Sequence, residues 1–418
     1  MDKFIIEGGI PLEGEVEISG AKNAVLPIMA ATIIAPGNYR LNNVPQLRDT
    51  VTMKRLLEMV GATVHCIDNT LDIDTTHCDT PVASYDLVKT MRASFYVLGP
   101  LLSRFQYAEV SLPGGCAWGP RPVNYHIQAM ESLGAEIELV DGMIIAKGNL
   151  KGGQINFDQS SVGATGNALM AAVTAKGVTN INNAAQEPEI EALGIFLNQM
   201  GAEITGLGTR KITVYGKKEL RPSIEFTIIP DRIEAGTFLI AAATTRGNIK
   251  IINADTVHME IVLRYLQEAG FQITIENDTI QIKMRNHYIN PVNISTDIYP
   301  GFPTDLQAQW MALMTKAKGT STIIEEIYTD RFTHIAELSR FGANIQLIGN
   351  KANIHGVRSL TGAPVMSTDI RASASLIIAA LCAEGESSIS RIYHIDRGYD
   401  QIESKFSRLG ANIKRVKE

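Results

Sequence analysis

The chain has 418 residues, of which 45% are hydrophobic and 20% are charged, and its formal net charge is -6. This composition is typical of a soluble globular protein, and the length exceeds the ~250–300 residues that one hydrophobic core can serve. An acidic chain without a basic cluster excludes a nucleic-acid surface, and apolar runs interrupted by polar residues exclude a transmembrane helix, so we expect neither nucleic acid nor membrane as a partner.

The cysteines and the first residues both indicate a cytoplasmic protein. The four cysteines show no paired spacing, which argues against a disulfide framework and for a reducing compartment. The first nine residues lack the apolar segment of a signal peptide. The histidines show no metal-ligand spacing, so we expect no metal.

A short phrase made of a bulky apolar residue, a glycine and usually an alanine occurs six times along the chain. Its glycines lie 67 to 73 residues apart. A regular period of this size indicates six repeated structural units. The glycines are Gly61, Gly134, Gly201, Gly270, Gly342 and Gly410.

Each unit has the same predicted order of elements. An apolar helix with polar first residues is followed by a glycine and a β-rich run, and then by a loop and an amphipathic helix. The glycine of the phrase ends that helix in the left-handed conformation, and a hairpin closes the unit. This order favours mixed sheets covered by apolar helices. The first helices are predicted to begin near Ser19, Tyr85, Ser160, Asp231, Thr304 and Thr368, the second of them covering residues 85–102.

The two ends of the chain are expected to complete one another. The sixth unit has a single final strand at residues 411–416, and the chain begins with an unpartnered strand at residues 3–7. The first strand therefore fills the place that is missing in the last unit. We expect an N-terminal domain of residues 20–228, with repeats one to three, and a C-terminal domain of residues 1–19 plus 229–418, with repeats four to six.

Charged residues recur at two points of the unit, the start of the first helix and the loop after the following strand. Free N–H groups at helix N-termini favour anions. A single arginine at such a point is most often an ordinary surface residue. Six ordinary surface residues, however, would not all fall at equivalent points of the repeat. The pattern therefore predicts sites for phosphates or carboxylates. The basic residues are Lys22, Arg92, Arg121, Arg331, Arg371 and Arg397.

The second unit contains a loop at residues 112–123 with three glycines and three prolines, and Cys116 lies within it. These residues exclude regular structure, and Arg121 favours the thiolate electrostatically. Cys116 is therefore a candidate nucleophile or proton donor. The other cysteines, Cys66, Cys78 and Cys382, are interpreted as packing or surface residues.

Over essentially its whole length the chain resembles the UDP-N-acetylglucosamine 1-carboxyvinyltransferases, in the enolpyruvyl transferase family. The cysteine loop is the most specific point of resemblance. The resemblance implies an α/β fold, a two-domain inside-out α/β barrel of six βαβαββ-type repeats, three per domain, around a cleft. The other matching motifs lie at residues 19–24, 91–94, 161–165, 230–234, 300–305, 330–332, 368–372 and 396–399.

The resemblance also implies an activity. The family transfers the enolpyruvyl group of phosphoenolpyruvate to the 3′-hydroxyl of UDP-N-acetylglucosamine by addition and elimination, with release of phosphate. This is the first committed step of peptidoglycan precursor synthesis and the target of the epoxide fosfomycin. Such a reaction needs an acid, a base and dense positive charge. The resemblance implies no cofactor and no obligate protein partner.

By the same resemblance, Cys116 is the proton donor and the site of a covalent adduct, and Asp305 is the base for the sugar hydroxyl, with Lys22, Arg397 and Asp369 also catalytic. Phosphoenolpyruvate is expected to contact Lys22, Asn23, Arg121, Arg331, Arg371 and Arg397. UDP-N-acetylglucosamine is expected to contact Asn23, Arg92, Arg121, Pro122, Val123, Asn124, Tyr125, His126, Ser161, Val162, Gly163, Asp305 and Ile327.

Three positions depart from patterns common in the family, and they bear on nucleotide affinity. Tyr96 stands where tryptophan is frequent, Asn124 where aspartate is frequent, and Gln159 where some members have lysine.

Two alternatives are weighed against the leading function. A shikimate-pathway enolpyruvyl transferase shares the architecture but lacks the cysteine loop, and a non-catalytic UDP-sugar-binding paralogue should have lost Lys22, Cys116, Asp305 or Arg397.

Overall fold

The structure is a computed structural model that describes residues 2–112 and 123–417. The chain folds into two compact units. One comprises Gly20–Ile229, and the other is built from the residues before and after that segment. Each unit has a hydrophobic core made only of its own residues.

The chain begins with two strands of the discontinuous unit, β1 (Asp2–Glu7) and β2 (Glu13–Glu17), and then builds the contiguous unit repeat by repeat. The first repeat contains α1 (Lys22–Ala31), β3 (Asn38–Asn42), α2 (Arg48–Val60), β4 (Thr63–Ile67) and β5 (Thr70–Asp74). The second contains β6 (Val82–Ala83), α3 (Tyr85–Val88), a 3-10 helix (Arg92–Val97), α4 (Leu98–Phe105), β7 (Tyr107–Ser111), α5 (Asn124–Ser132), β8 (Glu136–Val140) and β9 (Met143–Lys147). The third contains β10 (Gln154–Asn156), α6 (Val162–Ala172), β11 (Val178–Asn182), α7 (Pro188–Gln199), β12 (Glu203–Thr205) and β13 (Lys211–Tyr215), and β14 (Ile224–Thr227) follows it.

The rest of the discontinuous unit repeats this order. The fourth repeat contains α8 (Arg232–Thr245), β15 (Asn248–Ile252), a 3-10 helix (Val257–Met259), α9 (Glu260–Glu268), β16 (Phe271–Glu276) and β17 (Thr279–Met284). The fifth contains β18 (Ile294–Ser295), a 3-10 helix (Thr304–Leu306), α10 (Gln307–Met314), β19 (Thr320–Ile324), α11 (His334–Arg340), β20 (Asn344–Ile348) and β21 (Lys351–His355). The sixth contains β22 (Pro364–Met366), α12 (Ile370–Cys382), β23 (Glu386–Ser390), a 3-10 helix (Ile392–Arg397), α13 (Ile402–Arg408) and β24 (Asn412–Lys417).

Every repeat is associated with one four-stranded sheet of the same design. An edge strand runs parallel to the central strand, and the two hairpin strands continue the sheet antiparallel. In the last sheet β1 takes the place of the second hairpin strand, with Phe4 opposite Ile389 on one side and Arg415 on the other. The sheets have the orders β14-β3-β5-β4, β6-β7-β9-β8, β10-β11-β13-β12, β2-β15-β17-β16, β18-β19-β21-β20 and β22-β23-β1-β24.

Two edge strands are exchanged between the first and fourth repeats, although each pairs within its own compact unit. β2 precedes α1 in the chain, yet it pairs in parallel with β15 of the discontinuous unit, with Val16 opposite Ile251. β14 precedes α8, yet it pairs in parallel with β3 of the contiguous unit, with Phe226 opposite Leu41. The chain therefore passes from one unit to the other directly after each of these strands.

The apolar helices of the repeats lie inside each unit, whereas amphipathic helices such as α9 are partly exposed. In the discontinuous unit α8, α10 and α12 pack against one another, and every residue of α10 is buried. In the contiguous unit α4 packs against α6, and α1 packs against the 3-10 helix Arg92–Val97. Helices that are apolar on all sides are buried ones, whereas strands such as β3 alternate exposed and buried residues. This arrangement confirms the predicted two-domain inside-out α/β barrel of six βαβαββ-type repeats.

The glycines of the repeated phrase end the second helix of each repeat. All six have φ between 85° and 107°, which is the left-handed conformation expected after a helix C-terminus. At Gly134 a Cβ atom would meet nothing within 4 Å, so the backbone conformation and not lack of space requires the glycine there.

Two helix starts differ from the prediction. The helix expected over residues 85–102 is divided, because Met91 is extended and a new helix begins at Leu98. Pro100 lies in the first turn of that new helix, where its missing N–H is not needed. Ser19 does not cap α1, because its own N–H donates to Glu234 and its hydroxyl accepts from Lys405.

Candidate functional site

Three of the predicted site residues form an acid–arginine cluster in the discontinuous unit: Asp305, Arg331 and Arg371. Nη1 of Arg331 lies 2.8 Å from Oδ1 of Asp305, and Nη2 of Arg371 lies 2.7 Å from Oδ2. Both arginines are buried, whereas 27% of the Asp305 side chain is exposed. The carboxylate therefore binds a separate guanidinium through each oxygen and still faces solvent.

The charges of the acid–arginine cluster reinforce one another. Burial alone would favour the neutral acid, but Arg371 and Arg331 outweigh it and hold the pKa of Asp305 well below its ordinary value. Burial would likewise favour neutral Arg371, and Asp305 outweighs it, so the pKa of Arg371 is raised. The Arg371 guanidinium also lies 5.5 Å from the centre of the Tyr399 ring. The cluster is thus fully ionised at neutral pH.

Asp369 fixes the first turn of α12, which carries Arg371. Its Oδ1 accepts hydrogen bonds from the backbone N–H groups of Arg371 (2.8 Å) and Ala372 (3.1 Å), and its Oδ2 accepts one from the Thr368 hydroxyl (3.2 Å). An aspartate at this position satisfies free N–H groups and complements the helix dipole. Asp369 thereby orients the backbone from which Arg371 reaches Asp305.

Arg397 lies at the end of a 3-10 helix and is partly buried. It acts electrostatically on His394, whose pKa is lowered by burial first and by Arg397 next, while Asp369 opposes the shift. Arg397 and Asp369 are therefore both close to this imidazole. The N-terminus of α12 and the end of the 3-10 helix thus belong to one neighbourhood.

Glu325 is a residue of this region that the sequence did not single out. Its buried carboxylate accepts hydrogen bonds from the backbone N–H groups of Ile327 and Tyr328 and from the hydroxyls of Thr296 and Thr304. These contacts place the predicted backbone position Ile327 beside the acid–arginine cluster. A glutamate at the end of a strand is too common for its spacing to have revealed this role.

In the contiguous unit, Lys22 is the first residue of α1 and forms an ion pair with Asp49 in the first turn of α2. Their N–O distance is 2.8 Å, and both residues are buried. Asn23, the next residue of α1, is exposed. The two helix N-termini therefore bring a buried ion pair and an accessible amide together.

His126 is held as a neutral acceptor. Its Nδ1 accepts a hydrogen bond from the Asn167 amide at 2.8 Å, so the proton lies on Nε2. Burial first and Arg92 second lower its pKa to about 3. The Asn167 side chain also donates to the Phe95 carbonyl and accepts from the Gly99 N–H. These bonds fix the imidazole between the 3-10 helix that begins at Arg92 and helix α6.

Some of the predicted UDP-sugar residues of the contiguous unit lie on the helices next to this imidazole. A Cβ on Gly163 would lie 3.0 Å from Cε1 and Nε2 of His126, so the first turn of α6 rests on the ring. Ser161 caps α6 by accepting from the Ala164 N–H, and Val162 begins the helix. Val123 precedes α5, Asn124 is its exposed first residue, and Tyr125 contacts the Phe157 ring edge-on.

Cys116, Arg121 and Pro122 lie outside the residues that the structure describes. The three other cysteines differ in their surroundings. Cys66 is exposed, Cys78 is buried with a raised pKa, and burial raises the pKa of Cys382 to about 12.

Two positions that depart from the family pattern, besides Asn124, have different surroundings. Gln159 is exposed, and the Tyr96 ring lies against Gly166 of α6.

Neither a metal cluster nor a membrane helix occurs within residues 2–112 and 123–417. No group of three or more His, Cys, Asp or Glu side chains is arranged to bind a metal ion. No helix there combines the length and the apolar character needed to cross a membrane.

Comparison with known proteins gives the family. The family model of EPSP synthase (3-phosphoshikimate 1-carboxyvinyltransferase) matches residues 6–406. The UDP-N-acetylglucosamine 1-carboxyvinyltransferase of Chlorobium phaeovibrioides is 54% identical over 100% of this chain and 99% of its own. The chain belongs to the UDP-N-acetylglucosamine 1-carboxyvinyltransferase family. A second member, from Geobacter metallireducens, is also 54% identical, over 100% of both chains.

Solved structures of other enolpyruvyl transferases share the fold of this UDP-N-acetylglucosamine 1-carboxyvinyltransferase family member. The enolpyruvyl transferase NikO from Streptomyces tendae covers 99% of both chains with a TM-score of 0.90 and 23% identity. EPSP synthase from Acinetobacter baumannii covers 100% of both with a TM-score of 0.78 and 17% identity. The chain is a transferase, and neither the shikimate-pathway alternative nor the non-catalytic one is favoured.

Proposed function

We propose that the protein transfers the enolpyruvyl group of phosphoenolpyruvate to the 3′-hydroxyl of UDP-N-acetylglucosamine and releases phosphate, as the first committed step of peptidoglycan precursor synthesis. The observation that carries the proposal is identity of 54% over the full chain to a relative named for this activity. The acid–arginine cluster supports it, because the reaction needs a base and buried positive charge in one place.

Asp305 is the base in this proposal. With both arginines bound to it, the carboxylate is a weak base, because its pKa lies well below the ordinary range. An anionic substrate that binds Arg331 and Arg371 competes with Asp305 for them. The pKa of Asp305 then rises toward the value that removes a proton from the sugar hydroxyl as the oxygen attacks carbon 2.

The other roles follow residue by residue. Cys116 delivers a proton to carbon 3 and can bond covalently to phosphoenolpyruvate, and that proton leaves again as phosphate departs. Phosphate is bound by Lys22, Arg121 and Arg397, while Asn23, Arg331, Asp369 and Arg371 complete the phosphoenolpyruvate contacts. The UDP-sugar is bound by Arg92, Arg121 to His126, Ser161 to Gly163 and the backbone at Ile327.

The setting is part of the same proposal. The two compact units are the two domains, with boundaries at about residues 20 and 229, and the protein works in the cytoplasm without an obligate protein partner. No metal or organic cofactor takes part, since Cys116, Asp305 and the basic residues supply the acid, the base and the positive charge.

The test is phosphate release from phosphoenolpyruvate with purified protein. We expect release with UDP-N-acetylglucosamine and none above background with shikimate 3-phosphate. Asp305→Asn should reduce release by more than ~100-fold, whereas Asp297→Asn, an exposed acid of the same unit, should leave it within ~2-fold. Release with shikimate 3-phosphate alone would overturn the proposal.

A further inference from the structure

The buried carboxylate of Glu325, directly after β19, accepts hydrogen bonds from four donors. Oε1 of Glu325 accepts from the Thr296 hydroxyl (2.8 Å), the Ile327 N–H (3.0 Å) and the Tyr328 N–H (2.9 Å). Oε2 accepts from the Thr304 hydroxyl (3.0 Å). The residue is completely buried, so these donors replace water around both oxygens.

Thr304 connects this carboxylate to Arg331. A hydroxyl has one proton, and a carboxylate can only accept, so Thr304 donates to Glu325 and must accept from its other neighbour. That neighbour is Nη1 of Arg331, at 3.0 Å. The direction of both hydrogen bonds is therefore fixed by Glu325.

Nη1 of Arg331 in turn has two N–H bonds. One is directed to Thr304 and the other to Oδ1 of Asp305, at 2.8 Å. Two acceptors on one nitrogen fix the plane of the guanidinium. A second path leads from Glu325 through the Tyr328 backbone, since the Tyr328 ring lies 5.8 Å from the Arg331 guanidinium carbon.

We propose that Glu325 is a positioning residue for the transfer reaction, acting through the Thr304 hydroxyl to set Arg331 against Asp305. This inference rests on the proposed function, in which Asp305 is the base and Arg331 binds phosphoenolpyruvate. Glu325 touches neither substrate in this scheme. It keeps the guanidinium in the orientation that both groups need, and it holds the backbone at Ile327 that is assigned to the UDP-sugar.

Thr296 provides a matched control. Like Thr304 it donates its hydroxyl proton to Glu325, but its remaining bond is with the Glu326 N–H and does not lead to Arg331. Thr296→Val and Thr304→Val therefore each remove one buried hydrogen bond to the same carboxylate. Only Thr304→Val also removes one of the two acceptors of Arg331 Nη1.

The experiment compares these variants in steady-state kinetics, thermal unfolding and crystal structures. Thr304→Val should lower kcat roughly 10- to 100-fold with the KM for UDP-N-acetylglucosamine within ~3-fold, and Thr304→Ser should restore most of it. Thr296→Val should lower the unfolding temperature as much as Thr304→Val does, because each removes one buried hydrogen bond, but it should leave kcat within ~2-fold. Glu325→Gln presents an amide N–H to Thr304 and should lower kcat in the same way.

Equal losses of kcat in Thr296→Val and Thr304→Val would overturn the proposal, because they would show a structural role alone. So would a crystal structure of Thr304→Val with Arg331 Nη1 still in place against Asp305. That structure tests whether Thr304 orients Arg331, and it does so independently of enzymatic activity. If instead the wild-type protein releases no phosphate, the proposed function fails, and the crystal structures still decide whether Glu325 sets the guanidinium.

Discussion

The ammonium group of Lys22 lies 2.8 Å from Oδ2 of Asp49, and both side chains are almost completely withdrawn from solvent. The two opposite charges stabilise one another at this distance, because burial reduces the screening by water. The pair joins the first residue of α1 to the first turn of α2. A residue assigned to phosphate binding is therefore also a structural contact between two helices of the first repeat.

Asp49→Asn should destabilise the contiguous unit by about 1.5–3 kcal/mol, because it removes one charged partner of the buried Lys22 ammonium. Protection of α1 and α2 amides in a urea series with hydrogen exchange measures this loss. Glu58→Gln is the matched control in α2, since it breaks the more exposed pair with Lys54 and should cost under about 0.5 kcal/mol. Equal losses in the two variants would contradict the prediction.

Asp305 should make the stability of the discontinuous unit depend on pH in acid. Its pKa is lowered in the folded protein, so the unfolded chain takes up the proton first as the pH falls. The stabilisation is complete well above the ordinary value of 3.8 and is lost as the pH falls through 3.8 toward the folded pKa.

The free energy of unfolding of wild type should exceed that of Asp305→Asn by less at pH 3 than at pH 5. The change should be at most about 1.4 kcal/mol per pH unit. Urea-dependent hydrogen exchange of α12 amides measures it. Thr237→Val serves as control, because it removes a buried hydroxyl that bonds Tyr399 but no acid. A difference for Asp305→Asn that stays constant across this range would refute the assignment of its low pKa.

Deletion of residues 2–7 should unfold the sixth sheet and leave the contiguous unit intact. β1 lies between β23 and β24, so its loss leaves β24 without a neighbour and β23 paired with β22 alone. Hydrogen exchange should show loss of protection in β23 and β24 and unchanged protection across Gly20–Ile229. Phe4→Ala keeps the backbone pairing and should cost about 3–5 kcal/mol from the buried aromatic ring alone. Loss of protection in the contiguous unit instead would show that β1 has another role.

Fosfomycin should alkylate Cys116 and spare the other three cysteines. Burial raises the pKa of the Cys78 and Cys382 thiols and so keeps them protonated, which leaves exposed Cys66 as the competitor. UDP-N-acetylglucosamine should accelerate labelling of Cys116. Cys116→Ser should abolish labelling and severely impair turnover, because a hydroxyl is a far weaker acid than a thiol. Cys116→Asp should retain turnover and resist the epoxide. Peptide mapping locates the adduct, and an adduct on Cys66 would contradict the role of Cys116.

Much of the fold follows from local sequence signals. The phrase glycines predicted six helix ends, because the left-handed conformation at a helix end is a local requirement that glycine meets best. The β-rich runs after the first helices became β3, β11, β15, β19 and β23. The exchange of β2 and β14 could not be predicted, because nothing in an edge strand's own sequence says which parallel neighbour it takes.

The sequence named the three residues of the acid–arginine cluster but not the network around them. Asp305 and Arg371 were expected at helix starts and Arg331 in a loop after a strand, and the three meet in one cluster. Glu325, Asn167 and Lys405 escaped notice because their partners are distant in sequence or belong to the backbone. The first helix was predicted to begin near Ser19 from a local signal, but the hydrogen bonds of Ser19 are long-range and the helix begins at Lys22.

The place of β1 also sets a limit on how the protein can be made. Residues 2–17 leave the ribosome before the contiguous segment, yet β2 must wait for β15 to emerge, and β1 must wait for β23 and β24. The contiguous segment 20–229 contains all its strand partners and can fold while synthesis continues. β1 is thus synthesised long before its partners, and this sheet cannot close until β24 has left the ribosome.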